Sequence, residues 1–312
     1  MQVVPCDKCR TPNWVPQDLA KFQPVPCTEC RHPVIAPVRL RQFELRSVLG
    51  SGGMATVYRA WDTVLEREVA VKMMAANIAQ HPQAMAGFYR EARFQATLNH
   101  TNIIHIYNYD ESEGRKYLAM EVADQGDMDQ RIESQGRVDE LYVLDVGIKI
   151  SSALDVLRQK DLMHLDIKPS NILYNTEGEP KLTDFGIAKK MGGKRDDAEG
   201  LMGTPFYIAP ERVSEGWQDW RSDMYSLAAT LYHAVTGQVP FDAPTAEETV
   251  WAHVNGTLIP PNKVVKDISK DTTTALCKGM EKNPDHRFRS YDDFRMALEA
   301  ARSRLLVARH GR

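Results

Sequence analysis

Nowhere does this chain carry an apolar run long enough to cross a bilayer. Its longest, around Tyr225 to Val235, falls well short of the roughly 18 residues a spanning helix needs. Its first residues, Met1-Gln2-Val3-Val4-Pro5-Cys6, lack the basic stretch leading into an apolar one that an export signal requires, so a cytoplasmic location is expected. An excess of charge of one sign is also missing. Lys plus Arg number 39 against 42 Asp plus Glu, a net charge of −3, which gives no support to a nucleic-acid partner. Cysteine is sparse, at five residues, and in a reducing compartment such residues rarely form structural disulfides and more often hold metal when paired. What remains is an ordinary globular composition, 43% hydrophobic, in 312 residues: one large domain with a small appendage, or two of middle size.

Four of the five cysteines fall in two pairs within a short repeat. Val4-Pro5-Cys6-Asp7-Lys8-Cys9-Arg10-Thr11-Pro12 returns as Val25-Pro26-Cys27-Thr28-Glu29-Cys30-Arg31-His32-Pro33. Cys-x2-Cys, seventeen residues, then Cys-x2-Cys is the spacing of a structural zinc site. Two facing turns can close four thiolates into a tetrahedron at about 2.3 Å and leave no position for a substrate. Iron is the competing metal; ordinary buried cysteines or a redox pair are the metal-free alternatives. Residues 1–36 are too few to bury the apolar surface that offsets chain entropy, so a metal would assist their folding. Lys8, Arg10 and Arg31 could offset the thiolate charge. This portion resembles a zinc ribbon, a scaffold used in interaction and nucleic-acid modules alike, so no function follows from it. Pro24, Pro26, Pro33 and Pro37 argue against long helices here, and residues 37–42 are expected to be a linker. Cys277, in Ala275-Leu276-Cys277-Lys278, is expected to be a packed helix residue.

Beyond that segment the periodicity changes twice. From Phe43 to about 120 it favours strands, seen in Val57-Tyr58-Arg59-Ala60, Val69-Ala70-Val71 and Tyr117-Leu118-Ala119-Met120, with one helix between Gln83 and Leu98. From about 124 to 300 it favours helices: Val143, Val146, Ile150, Leu154 and Leu157 make one stripe, and Phe294, Leu298, Ala301 and Leu305 another. Residues 301–312 read as a helix end or tail, helical as far as Leu305.

Leu49-Gly50-Ser51-Gly52-Gly53-Met54-Ala55-Thr56-Val57 places glycines where a hairpin can lie over phosphates, although a hairpin turn without ligand would look the same. Val69-Ala70-Val71-Lys72 puts an ammonium on an apolar strand, costly unless it meets a phosphate and a carboxylate, and Glu91 on the next helix is the natural carboxylate. His164-Leu165-Asp166-Ile167-Lys168-Pro169-Ser170-Asn171, Asp184-Phe185-Gly186 and Ala209-Pro210-Glu211 follow in that order. Residues 43 to about 300 thus resemble a eukaryotic-type protein kinase domain, particularly its bacterial Ser/Thr branch. Gly203-Thr204-Pro205, Asp223-Met224-Tyr225-Ser226-Leu227 and Lys282-Asn283-Pro284 with Arg287 look like its later landmarks. The resemblance implies a bilobal α+β fold, β-rich then helical. It also implies a buried Glu211–Arg287 ion pair, and Asp223 hydrogen-bonded to the catalytic loop's backbone.

The implied chemistry is transfer of the γ-phosphoryl group of ATP, where the protein mostly aligns two oxygens and neutralises phosphate charge. By similarity Asp166 accepts or orients the proton of the substrate hydroxyl, Lys168 stabilises the transferring group, and Asn171 and Asp184 hold Mg²⁺ or Mn²⁺. Lys72, held by Glu91, grips the α and β phosphates. Leu49, Gly50 and Gly52 belong to the loop over the nucleotide. Met120 stands as gatekeeper, Glu121 and Ala123 as hinge backbone contacts, and Val57, Ala70 and Leu173 above and below the adenine, with plain core packing as the alternative. Lys168 and Thr204 indicate Ser/Thr-bearing protein substrates, with the Gly203-to-Glu211 segment docking the peptide; a metabolite kinase fits less well. The chief rival is a pseudokinase scaffold whose ribbon recruits partners. A partner or regulator at the ribbon is expected in either case.

Three positions depart from the family's pattern. Ala55 stands at the third glycine position and adds only a methyl. Gln95 takes the place of an apolar residue that usually links the lobes. Leu165 replaces the arginine that commonly pairs with an activation-loop phosphate. From Ile187 to Gly203 there is also no Ser or Thr, while Lys189, Lys190, Lys194 and Arg195 are followed by Asp196, Asp197 and Glu199. Receptor and phosphate are lost together, which points to a kinase not switched by phosphorylation within that loop.

Overall fold

Two compact units divide the chain: Met1–Ala96 with Ile104–Asp124, and Thr97–Ile103 with Gln125–Arg312. The computed structural model describes residues 2–310 apart from 17, 20, 54, 76–81, 186–187, 192–203 and 215–217.

In the first unit the cysteine repeat forms two antiparallel hairpins, β1 (Gln2–Pro5) with β2 (Pro12–Val15) and β3 (Val25–Pro26) with β4 (Pro33–Val34). A six-stranded antiparallel sheet follows, built from β5 (Val38–Leu40), β6 (Phe43–Ser51), β7 (Ala55–Asp62), β8 (Arg67–Met74), β9 (Ile106–Ser112) and β10 (Arg115–Met120). Its order is β5-β6-β7-β8-β10-β9. Residues 37–42, expected to be a linker, contain β5, whose Val38, Arg39 and Leu40 pair with Leu45, Glu44 and Phe43. Its short apolar–charged–apolar alternation has the period of a strand, and Leu40 is fully buried. The cysteine-rich segment is therefore not a free appendage. Phe22, between the two cysteine pairs, and Ile35 share one core with Leu40, Phe43, Leu45 and Tyr58, and the Tyr58 hydroxyl donates to the Phe22 carbonyl at 2.8 Å. Helix α1 (Pro82–Ala96) connects β8 to β9 and buries Phe88, Glu91, Ala92 and Gln95.

The second unit is mainly helical. Helix α2 (Met128–Gln135) is capped by Asp127, whose carboxylate accepts from Gln130 N. Helix α3 (Glu140–Gln159) buries its stripe of Val143, Val146, Ile150, Leu154 and Leu157. Short antiparallel pairs follow, β11 (Leu162–Met163) with β14 (Lys189–Lys190) and β12 (Ile172–Tyr174) with β13 (Pro180–Leu182). Then come α4 (Pro210–Ser214), α5 (Trp220–Thr236), α6 (Ala246–Asn255), α7 (Pro261–Val264), α8 (Lys270–Gly279) and α9 (Tyr291–His310). Helix α5 is buried nearly all round and is stopped by Gly237 at φ 74, where a Cβ would come within 2.1 Å of the Gly136 carbonyl oxygen. Helix α9 runs past Leu305 to His310, its last turn tied by Arg309 to Asp139 at 2.9 Å. Cys277 lies half-buried on α8. Among the described residues no helix is long and apolar enough to cross a membrane.

One ion pair anchors this unit. Arg287 donates two hydrogen bonds to Glu211, at 2.8 and 2.7 Å, and the two side chains are 0% and 1% exposed. Ser222 Oγ donates to the same carboxylate at 2.7 Å, and Arg287 also donates to the carbonyls of Glu281 and Arg221 at 2.8 Å. Burial pushes the Glu211 carboxyl up, but the Arg287 contacts and the Ser222 bond outweigh it and hold the group below its usual range. The resulting stability is present above the ordinary glutamate pKa and is lost as pH falls through the depressed folded value. Arg287→Met leaves a buried carboxylate unpaired and is expected to cost about 3–5 kcal/mol. A urea titration at neutral pH reads the loss; an unchanged midpoint would contradict it.

Candidate functional site

The four paired cysteines converge. Their sulfurs all lie within 4.8 Å of one another, with Cys6–Cys30 and Cys9–Cys27 each at 3.6 Å. A tetrahedral centre with metal–sulfur bonds of about 2.3 Å requires sulfurs about 3.8 Å apart, so the donor set is compatible with a zinc or iron ion. All four are free thiols. The repeat produces the same turn twice: Arg10 N donates to Cys6 O and Cys6 N to Thr11 O, as Arg31 N does to Cys27 O and Cys27 N to His32 O. Arg10 and Arg31 sit at φ 64 and 63, a left-handed geometry that favours glycine. Hydrogen bonds from the Cys30 amide, then from the Glu29 amide and Asn13 Nδ2, outweigh burial and hold the Cys27 thiol down at about 6. Despite the His32 amide, Cys30 is pushed up to about 12 by burial and by its bonds to the other thiols. Asn13 carried no sequence signal: a lone asparagine in a strand belongs to no motif. Its Nδ2 reaches Cys27 Sγ at 3.4 Å and its Oδ1 accepts from Thr28 N at 2.9 Å, joining the two hairpins.

In the same unit β6 and β7 form the glycine-rich hairpin, closed by Gly52 N donating to Ala55 O at 3.0 Å; Met54 lies outside the described residues. A Cβ at Gly50 or Gly53 would touch nothing within 4 Å, so neither glycine is required by crowding within the chain. Lys72 on β8 reaches Glu91 on α1, Nζ to Oε1 at 2.6 Å, with side chains 18% and 7% exposed. One turn on, buried Gln95 donates to the Ile104 carbonyl at 2.7 Å, which is how a polar side chain is tolerated where an apolar one was expected. Ala70, Ile104 and Met120 form one apolar cluster with Leu49, Val57 and Ala123 packed on it. Glu121 N donates to His105 O at 2.9 Å, so any nucleotide contact by Glu121's backbone falls to its carbonyl.

The second unit carries the other predicted residues, of which Asp166, Lys168 and Asn171 are in contact. Asp223, on α5, accepts from the backbone amides of His164 and Leu165, both at 2.7 Å. Burial pushes its carboxyl up, and the His164 charge interaction and those two amides act the other way. The His164 ring meets the Thr183 carbonyl at 3.0 Å and packs against fully buried Phe185 at 4.6 Å. On the loop so held, Asp166 Oδ2 meets Lys168 Nζ at 2.8 Å and accepts from Asn171 Nδ2 at 3.0 Å, while the same Nδ2 donates to the Asp166 carbonyl at 2.7 Å. Asp166 stays 15% exposed, accessible to a hydroxyl. Asp184 precedes Phe185 at φ 68; Gly186 lies outside the described residues. Leu173 lies half-buried on β12, and Thr204 opens a short 3-10 turn, Pro205–Tyr207; Gly203 lies outside the described residues.

A metal bound by the four cysteines would brace the hairpins flanked by Phe22 and Ile35, which enter the sheet's core, so removing it under reducing conditions is expected to lower the melting temperature. Calorimetry with and without chelator, and again after zinc is restored, checks this; a melting curve indifferent to the metal would contradict it.

The protein kinase domain family's profile matches residues 43–298. The probable serine/threonine-protein kinase SCO3848 of Streptomyces coelicolor is 34% identical over 266 residues, 83% of this chain and 40% of that protein. The probable serine/threonine-protein kinase CPE1738 of Clostridium perfringens is 32% identical over 250 residues, 80% of this chain and 36% of that protein. Serine/threonine-protein kinase PknB of Mycobacterium leprae is 32% identical over 263 residues, 82% of this chain and 42% of that protein. The chain thus spans about two fifths of the length of these relatives. The profile covers most of the chain, and these relatives are over 30% identical across four fifths of it: this chain belongs to the protein kinase domain family.

Proposed function

We propose that this chain transfers the γ-phosphoryl group of ATP to serine and threonine hydroxyls of protein substrates, with Mg²⁺ or Mn²⁺ as cofactor. The observation that carries the reading is the Asp166–Lys168–Asn171 cluster on a backbone fixed by Asp223. Phosphoryl transfer asks little covalent work of a protein and much prior alignment of charge, which such a cluster supplies. Asp166 orients the attacking hydroxyl and takes up its proton, a contribution typically of about 10²- to 10⁴-fold. Lys168, already within reach of Asp166, stabilises charge on the moving group. Asn171 has its Nδ2 turned to Asp166, which leaves Oδ1 as its donor to a metal, with Asp184 as the second ligand. The metal would neutralise phosphate charge when bound. Lys72, oriented by Glu91, grips the α and β phosphates, and the open space over Gly50 and Gly53 admits them.

Substrate peptides dock at the segment Thr204 begins. An apolar cavity of about 430 Å³, lined by Pro205, Ile208, Val213, Val250 and Trp251 among others, lies beside it and supports that reading. The ribbon's metal is zinc by this proposal, and its first role is to brace the sheet through Phe22 and Ile35, with partner recruitment on its exposed face.

Control by a phosphate in the activation loop has no receptor at position 165, since the Leu165 side chain is buried and uncharged. The charged residues Lys194 to Glu199 that would pair with one another or with a partner lie outside the described residues. Mass-spectrometric phosphosite mapping of the active protein is expected to find no loop phosphate that turnover needs; a required, stoichiometric phosphate there, on Thr204 included, would defeat this part.

The activity itself is tested with labelled ATP and a general protein substrate, Asp166→Asn beside the parent. Transfer by the parent and a loss of about 10²-fold or more in the variant are expected. Nucleotide binding without any Asp166-dependent transfer would favour the scaffold reading instead.

A further inference from the structure

Leu165, immediately before Asp166, adopts φ 67. A side chain crowds the backbone in that region, and such a conformation persists only where its surroundings over-determine it. One side of the residue is already accounted for, its N–H donating to Asp223 Oδ1 at 2.7 Å. Its other backbone group is held by a residue that no motif flags: Arg212 Nη1 donates to the Leu165 carbonyl at 2.6 Å.

Arg212 is well placed to act as a fixed strut. It follows Glu211, which is clamped by Arg287 and Ser222, and its own N–H donates to Ala209 O at 3.1 Å, so the guanidinium projects from an immobile base on α4. Its charge also favours the ionised form of Asp223, against the burial that opposes it. A carboxylate on one backbone group and a guanidinium on the other therefore bracket the residue that sets the direction of Asp166.

We propose that Arg212 is a positioning residue for phosphoryl transfer. Through the Leu165 carbonyl it ties the catalytic loop to α4 by a cation that is part of the chain, in place of a tie that an arginine at position 165 could make only to an added phosphate. The idea rests on the kinase reading above and goes beyond it in naming what holds the loop when no phosphate is present.

Steady-state kinetics with MgATP and a serine-containing protein substrate test it, on the parent, Arg212→Met and Arg212→Lys, with nucleotide affinity and melting temperature measured on each. Arg212→Met is expected to lower kcat by about ten- to a hundred-fold, since small misplacements of an aligned group are costly, while the KM for ATP stays within about two-fold. Arg212→Lys, which keeps a cationic donor, is expected to recover most of the rate. A kcat in Arg212→Met within about two-fold of the parent overturns the proposal, as does an equal loss in the lysine variant. If Arg212→Met does not fold, Arg212→Gln, whose amide can still donate, is read in its place; unfolding of both makes Arg212 a residue of stability alone and also overturns it. The two readings fail separately: a parent that binds ATP without Asp166-dependent transfer removes the kinase reading and this proposal with it, whereas an active parent with an unaffected Arg212→Met removes only the latter.

Discussion

A carboxylate withdrawn from water and aimed at two backbone amides is the contact that fixes the loop carrying Asp166. Asp223 is buried on a helix that is itself buried nearly all round, so it has little freedom to turn away from His164 and Leu165. A buried carboxylate is costly unless its oxygens are satisfied. That cost makes the arrangement rigid, because releasing either amide would leave a charge stranded in the interior. The loop carrying Asp166, Lys168 and Asn171 inherits this rigidity, and phosphoryl transfer rewards alignment that is in place before the substrate arrives.

The first unit solves a related problem with different materials. Lys72 would be expensive on an apolar strand, and Glu91 makes it tolerable while leaving an ammonium oriented in advance. The strands behind it share a core with the cysteine-rich hairpins, through Phe22, Ile35 and the hydrogen bond from Tyr58. A metal held by the four sulfurs would thus also support the sheet that presents Lys72. The ribbon is a structural member of the unit, not a passenger at its end.

Most of the candidate site's residues stand out in the sequence because phosphate and metal chemistry dictate residue types at close spacing. Cys-x2-Cys twice over, the strand lysine and the Asp166-to-Asn171 run each announce themselves within a few residues. The same is true of the helical stripes of α3 and α9, whose period is local. What stayed hidden depends on contacts between distant residues. The three residues of β5 are too short for their alternation to stand out, and only the partner strand reveals them as a strand. Asn13 and Arg212 belong to no motif, and their roles arise from the backbone groups they face. The left-handed arginines of the cysteine turns were hidden for another reason: glycine is the usual signal for that geometry, and here arginine stands at both positions.

The central claim of the proposed reading is that Lys72 and Asp184 are each needed for tight binding of MgATP. Calorimetric titration of MgATP into the parent, Lys72→Met, Asp184→Asn and Asp166→Asn tests it most directly. Each of the first two variants is predicted to weaken binding by about ten-fold or more, as loss of a charged contact to phosphate or metal should, while Asp166→Asn binds as the parent does. An affinity for MgATP indifferent to both Lys72 and Asp184 would contradict the claim.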